Sequence, residues 1–536
     1  MTRLPPVLAL CAGLSSAGLF CVAHAASLPA SPLTLGVGTL AEQRRSTPLL
    51  PGVTLTTIVR GQPGAQDTWT VTLSAVHTAQ EAAPLLADLK AAGFEGRLDP
   101  MHSQGAVAGA LGFLVRVGQV ATRAQADALL AGLKARGFSG GVQATAEDGG
   151  PSSGPWVIQV LSVEPGAGAT VRAALASDVL PGRETTSALA RRLGAVAAVN
   201  GGFFVVNESG GTEGDLAGLG VQAGQIVSEA TAGRPALLLD AAPLRARVVQ
   251  GVTSVISVRT GEAAYAVTGL NRRPGLIQNC GAPLAVPTSA PVHDYTCRSA
   301  HELIQFTPVF GPGSDVGEGH EVSVDASGKV SAVQARRGSP LPAGGYTLQA
   351  TGDAVAWLQQ LRVGMAVQVS SVLRDAQGRE VTLGATTSAV NGGPTLLTLG
   401  QPVNRFAAEG WSPEALPGSA LPGAGVTGPD AAGSATARLN FYNGWLLRRN
   451  PRTAAGVMAD GTLLLVTVDG RNPTHSVGAS IPEMASLMQA LGAVDALNLD
   501  GGGSTATVVN SMLQGVPSDA AGERPAGDAV LIFPKP

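Results

Sequence analysis

Four apolar, β-type runs in this chain end by passing an Asn or Asp straight into glycine. They are "AVAAVNGGFF" at Asn200-Gly201-Gly202, "TSAVNGGPTLL" at Asn391-Gly392-Gly393, "LLLVTVDGR" at Asp469-Gly470-Arg471 and "ALNLDGGGS" at Asp500. Glycine lets backbone approach a ligand closely but costs folding entropy, so these clusters need a reason. Tight hairpins are one reason. A pocket where four strand ends converge is the other, since rigid scaffolds hold ligands at such ends. The residue types name its chemistry. Asp469 and Asp500 form an acid/base or nucleophile/stabiliser pair suited to an anomeric carbon. The amides of Gly501, Gly502 and Gly503, with the Ser504 hydroxyl, form an anion-binding nest. Arg452, in "RRNPRTAAG", and Arg471 fork onto phosphate oxygens. Together they describe a site for a sugar joined through phosphate.

Sheet must carry these groups. From Trp156 onward the sequence is Gly-rich, β-type and broken by turn clusters. One helix is legible: Ser480 caps it, Glu483 completes a capping box, and Met484, Leu487, Met488 and Leu491 recur at helical spacing until Gly492. Glu483 is thereby given a structural job rather than a catalytic one.

The chain has 536 residues, enough for two or more domains, and a net charge of −3, which removes the basic field that nucleic-acid binding needs. Arg3, the apolar run "VLALCAGLSSAGLFCV" and Ala23-His24-Ala25 read as a signal peptide over residues 1–25; an uncleaved anchor is the alternative. Two of the four cysteines lie in that signal. Cys280 and Cys297 remain, and an even pair in an exported chain points to a disulfide closing a Pro-rich loop; two free thiols are the alternative. His293, inside that loop, fits no zinc spacing.

Residues 26–65 read as a linker. Then "TAQEAAPLLADLKAAGF" from Thr78 matches "TRAQADALLAGLKARGF" from Thr122, each helix flanked by strand-like runs. Two such units predict a ferredoxin-like βαββαβ domain over 66–146, followed by a linker, "EDGGPSSGP", over 147–155. The fold class is therefore α+β, with a small domain ahead of a larger mixed-sheet, β-rich one over 156–536. The repeat resembles the SPOR domain, a bacterial envelope module, and the resemblance implies binding to peptidoglycan glycan strands. Val120 stands where such domains place an aromatic, which leaves a spacer role open.

"GRETTSALARRLGAVAAVNGGFF", "NPRTAAG", "TVDGR" and "ALNLDGGGSTATVV", in that order, resemble the signature blocks of the phosphodiester glycosidase family. The resemblance implies hydrolysis of a glycosyl-1-phosphodiester, and the chemistry of that reaction assigns the roles: Asp500 as nucleophile or general base, Asp469 as companion carboxylate, Arg452 and the Gly501–Ser504 amides on developing phosphate charge, and Asn200, beside Gly201 and Gly202, on sugar or phosphate. Arg524, in "GERPAGDAV", fits a terminal block of the family and is placed on phosphate. The segment 276–300 looks like an insertion, and the loop 421–436 is either a lid or disordered. No cofactor or metal is implied; carboxylate-bound calcium or magnesium stays open, as does a metal-dependent phosphodiesterase. A non-catalytic, glycan-binding envelope protein is the other rival. Partners would be the glycosyl phosphodiester and glycan strands, with no nucleic acid and no membrane span after signal cleavage; the expected location is the periplasm or cell envelope of a bacterium.

Overall fold

The computed structural model describes residues 28–102, 111–241, 243–280, 291–411 and 439–535. The expected signal peptide and the 421–436 loop fall outside them. The fold is rich in strands with few helices, a small domain accompanying a larger β-rich one.

An eight-stranded antiparallel sheet forms the base. Its strands run Glu42–Leu50, Val53–Arg60, Trp156–Val163, Leu463–Val468, Arg452–Met458, Ala493–Asn498, Thr395–Thr398 and Gln401–Pro402 in spatial order. A second sheet places Ala197–Asn200 between Thr507–Val509 and Asp528–Pro534. A third pairs Thr387–Asn391 with Arg234–Ala241. Their inner faces share one core: Leu161 and Leu465 of the first, Val199 and Val530 of the second, and Leu237 and Val390 of the third are all fully buried there. Burial on this scale is the dominant stabilising term. It aligns the sheets so that strand ends at Asn200, Asn391 and Asn498 emerge together. The helix read from the sequence is present as Ile481–Ala490, with both hydrogen bonds of its capping box.

The segment 26–65, read as a linker, contains the outermost hairpin of the large sheet, Glu42–Leu50 and Val53–Arg60. Its first strand is mostly exposed and polar, "EQRRST", and so lacks the apolar alternation that marks a strand. The small domain is thus inserted between two neighbouring strands of one sheet, Val53–Arg60 and Trp156–Val163. It has the βαββαβ form, with strands Trp69–Val76, Gly96–Pro100, Phe113–Val120 and Gly141–Ala144 around helices Ala79–Ala91 and Arg123–Lys134. Its strand order, second-third-first-fourth, is ferredoxin-like.

The segment 147–155 is not a free linker either. Glu147 is buried and ion-paired to Arg448, while Arg449 donates to the carbonyls of Ala146 and Gly150 at 2.7 and 2.6 Å. Val115 and Val117 pack into the small domain's own core, so Arg116 points to the opposite face. There it is 1% exposed and pairs with Asp148 at 2.5 Å and Asp99 at 3.1 Å. Ala75, on the same sheet, donates its N–H to Asn440 at 2.7 Å. Removing one partner of a buried ion pair leaves charge uncompensated. Arg116→Met is expected to cost about 3–5 kcal/mol and to split thermal unfolding into two calorimetric transitions, the small domain melting first; a single unshifted transition would refute this account of the docking.

Candidate active site

The Asp500 turn is fastened from three directions. Leu499 and Gly502 donate their N–H groups to the carbonyls of Thr453 and Pro451, at 2.8 and 2.9 Å, laying the turn along the start of the Arg452 strand. Asp500 N–H reaches the Gly201 carbonyl at 3.2 Å. Asn200 Nδ2 donates to the Asp500 carbonyl at 2.8 Å, and its Oδ1 accepts from Thr453 Oγ1 at 2.6 Å and from Ala506 N–H at 3.1 Å. Asn200 is fully buried and its amide is committed to protein partners, so it positions the turn. A sugar or phosphate contact by this side chain, as the sequence implied, finds no free group. Asn391 braces the same ends from behind, bonding the N–H and carbonyl of Phe203 at 2.8 and 3.2 Å.

The glycines are explained by close approach. A Cβ at Gly503 would lie 2.2 Å from both Arg524 and Asp519, whose ion pair lies against this turn. Gly502 has φ +61°, and a Cβ there would sit 3.1 Å from the Arg471 guanidinium. The expected amide nest does not form from this turn. Gly501 N–H goes to Asp500 Oδ1, Gly502 N–H to the Pro451 carbonyl and Ser504 N–H to the Gly501 carbonyl, so three of the four amides are already bonded within the protein. Ser504 is buried and does not line the cleft.

The cleft beside this turn measures about 340 Å³. Asp500, Gly501, Gly502, Arg452, Arg471 and Arg524 line it, with Asn450 and Trp445. Arg452 is 2% exposed and donates to the carbonyls of Ala479, at 2.9 Å, and Trp445; no carboxylate lies within ion-pair distance of it among the described residues. Burial first, and then the neighbouring Arg471 charge, lower its pKa to about 9. Arg471 is also pressed downward, by burial and by Arg448. Its nearest carboxylate oxygen is on Asp519 at 4.0 Å, and Arg524 holds the other oxygen of that carboxylate at 2.7 Å. Arg471 and Arg524 therefore share the single charge of Asp519, Arg452 has no carboxylate partner, and among the described residues that line the cleft Asp500 alone bears negative charge. Such a site favours an anion.

Asp469, the expected companion of Asp500, does not line the cleft. Its carboxylate bonds His475 Nε2 at 2.8 Å and accepts from Val516 N–H at 2.9 Å, fixing the loop behind the Arg471 turn. Gly201 and Gly202 are likewise held within the protein, against a different acid. Asp528 Oδ1 accepts the Gly202 N–H at 2.8 Å and would lie 2.2 Å from a Cβ at Gly201. Burial, with the Asp500 charge adding to it, raises the Asp528 pKa to about 7.

Residues 318–533 match the phosphodiester glycosidase family, and residues 65–144 match the SPOR domain. A crystal structure from Burkholderia pseudomallei K96243, of a protein described provisionally as exported, is 39% identical and superposes with a TM-score of 0.84 over 95% of this chain and 99% of that one. The chain belongs to the phosphodiester glycosidase family. A Synechocystis structure shares the fold at 18% identity and a TM-score of 0.52, over 93% of this chain and 80% of that one. Mouse N-acetylglucosamine-1-phosphodiester α-N-acetylglucosaminidase is 43% identical over 68 residues, and the Bacillus subtilis prophage-derived protein YomE is 40% identical over 84. These stretches cover 13% and 16% of this chain and 13% of the length of each relative. The family match spans Arg452, Arg471, Asp500 and Arg524 and stops short of Asn200 and Phe203.

Several residues of this family member's site escaped the sequence reading. Asp528 lies in the quoted block "GERPAGDAV" but looks like the start of a strand. Asn450 opens the quoted block "NPRTAAG" without being singled out, and Asp519 carries no pattern. His293 lines the cleft although its spacing fits no metal site. The raised pKa of Asp528 has a consequence for stability. The native state keeps a proton there that the unfolded chain releases above its ordinary value of 3.8, so stability falls as pH rises from about 4 to about 7. Asp528→Asn keeps the acceptor for Gly202. It is expected to flatten that decline by on the order of a few kcal/mol in denaturant titrations across the window; parallel curves for the two proteins would exclude the assignment.

Proposed function

We propose that the chain hydrolyses a glycosyl-1-phosphodiester of the N-acetylglucosamine-1-phosphodiester type in an envelope glycan or exopolysaccharide, releasing the sugar and leaving a phosphomonoester. The observation that carries this reading is the charge balance of the cleft: three arginines, one lining carboxylate. Ordinary glycoside hydrolysis uses two carboxyl groups, one of them to protonate the leaving oxygen. A phosphate leaves without that proton once its charge is matched, so a second carboxylic acid in the cleft is unnecessary. Arg452, Arg471 and Arg524 would hold the phosphoryl oxygens, and preorganised cations that stabilise developing charge are commonly the largest catalytic term. Asp500, aimed by the Asn200 clasp, is the nucleophile or general base at the anomeric carbon.

The family membership and the mouse relative support the same reaction class. The SPOR domain and the provisionally exported Burkholderia relative support an envelope location, with glycan strands as the surface on which the enzyme works. Among the described residues no helix is long and apolar enough to cross a membrane. Cys297 is buried and disulfide-bonded, as export would allow; Cys280, its expected partner, has a side chain outside the described set.

The test is release of sugar from an N-acetylglucosamine-α-1-phosphodiester by the purified mature chain. Asp500→Asn is expected to lower kcat by about a hundredfold or more, and Arg452→Ala by about a hundredfold, with chelator leaving the wild type unchanged. Activity that survives Asp500→Asn would remove the central assignment, and activity lost to chelator would install the metal-dependent phosphodiesterase in its place.

A further inference from the structure

Part of the cleft lining is built differently from the arginine cluster. Four of its residues, Gln278, Asn279, His293 and Thr296, come from one hairpin, strands Leu276–Cys280 and Pro291–Arg298. This is the segment that departs from the family pattern in sequence, and it lies outside the matched stretch 318–533. The hairpin is fixed. Cys297 is buried and disulfide-bonded, Asn279 adopts φ +67° and donates to the Ala217 carbonyl at 2.9 Å, and His293 N–H donates to the Gly410 carbonyl at 3.0 Å.

Its inner surface is uncharged. His293 packs 4.0 Å from Trp411, 5.1 Å from Phe203 and 5.2 Å from Trp445, ring centre to ring centre, and the two tryptophans stack at 4.3 Å. Burial, and the Arg234 guanidinium 4.1 Å over Trp411, hold His293 neutral by pressing its pKa well below the ordinary value. Its Nδ1 is buried and meets no partner among the described residues. Gln278 and Thr296 are cross-strand neighbours, and Thr296 Oγ1 donates to Gln278 Oε1 at 2.9 Å. Among the described residues the Gln278 amide N–H pair has no hydrogen-bond acceptor. In a chain that is only 4% aromatic, this concentration of rings at one wall is a local feature of the cleft.

We infer that this hairpin is the specificity wall, and that Gln278 and Thr296 bind the neutral glycosyl unit of the substrate against Trp445 and Phe203. The inference rests on the proposed glycosyl-phosphodiester reading of the cleft. Aromatic faces and unspent amide donors suit a hydroxylated ring, whereas the anion belongs to the arginine side. The 340 Å³ volume is at the small end for ligand sites, the scale of one sugar and its phosphate rather than a glycan segment.

The experiment compares wild type with Gln278→Glu and with Gln278→Ala combined with Thr296→Val. The substrate is N-acetylglucosamine-α-1-phosphomethyl ester, and inorganic phosphate serves as competitive inhibitor. Gln278→Glu keeps the acceptor for Thr296 and exchanges the free donors for a carboxylate. Both variants are expected to raise KM about tenfold or more with little change in kcat. The double variant is expected to leave the phosphate inhibition constant unchanged, which also reports an intact fold. An unchanged KM, or phosphate inhibition weakened in step with KM, overturns the assignment. If wild type releases no sugar, the hydrolytic reading fails on its own, and saturation-transfer NMR with free N-acetylglucosamine decides the wall. A signal abolished in the double variant upholds it, and an equal signal in both proteins overturns it.

Discussion

The site hangs on one buried amide. Asn200 closes three strand ends at once, donating to the Asp500 carbonyl and accepting from Thr453 and from Ala506. Without it, those backbone and hydroxyl groups would stay desolvated and unpaired, a cost of about 1–3 kcal/mol for each buried polar group. The more consequential loss is positional. Two of the three sheets reach the Asp500 turn through this side chain, and the third reaches it through Asn391 and Phe203. The shared core brings the strand ends near one another, and the amides set where Asp500 and its glycines lie.

What the clasp holds in place is an electrostatic imbalance. Two nearby arginines are neutralised by dedicated carboxylates, Arg448 by Glu147 and Arg449 by Glu483. Arg452, Arg471 and Arg524 are not, since Asp519 serves two of them and Arg452 spends its donors on carbonyls. Crowded, partly desolvated cations cost stability. On the proposed reading that cost is offset when the phosphoryl group of the substrate binds, and the crowding of these guanidinium groups would contribute to its affinity. The same preorganisation explains why the glycine triplet must be bare: side chains there would separate Arg471 and Arg524 from the turn they flank.

Much of this was legible because local chemistry and tertiary role coincide. The 44-residue repeat announced its helices through Leu spacing, and Ser480 with Glu483 announced another by a capping box. Strand ends followed by glycine marked the cleft, and the arginines of "NPRT" and "DGR" lie in it. The misses share a different cause. Asn200 and Asp469 were assigned to the ligand, yet both are bonded within the protein, Asn200 to Asp500, Thr453 and Ala506 and Asp469 to His475 and Val516, groups that mostly lie far away in sequence. The Gly501–Ser504 amides suited a nest by composition, but those of Gly501, Gly502 and Ser504 are taken by Asp500, Pro451 and Gly501. Asp528 and His293 gain their character from burial and from neighbours tens to hundreds of residues away, which no spacing rule reports.

Domain organisation hid for a related reason. Thr68 and Thr145, at the two ends of the SPOR domain, bond each other across its base, Thr145 N–H to the Thr68 carbonyl at 2.8 Å. An insertion whose ends meet can interrupt a sheet without disturbing its register, and Val53–Arg60 pairs with Trp156–Val163 residue for residue. Sequence order therefore shows two domains in series where the fold has one domain growing out of the other. The consequence reaches the cleft. Ala75 of the SPOR sheet bonds Asn440, and Glu147 pairs with Arg448, bracketing the short segment that contributes Gly444 and Trp445 to the cleft. The ring against which the hairpin wall packs is thus held from the far side by the SPOR domain, so the aromatic side of the cleft is defined by contacts from both domains.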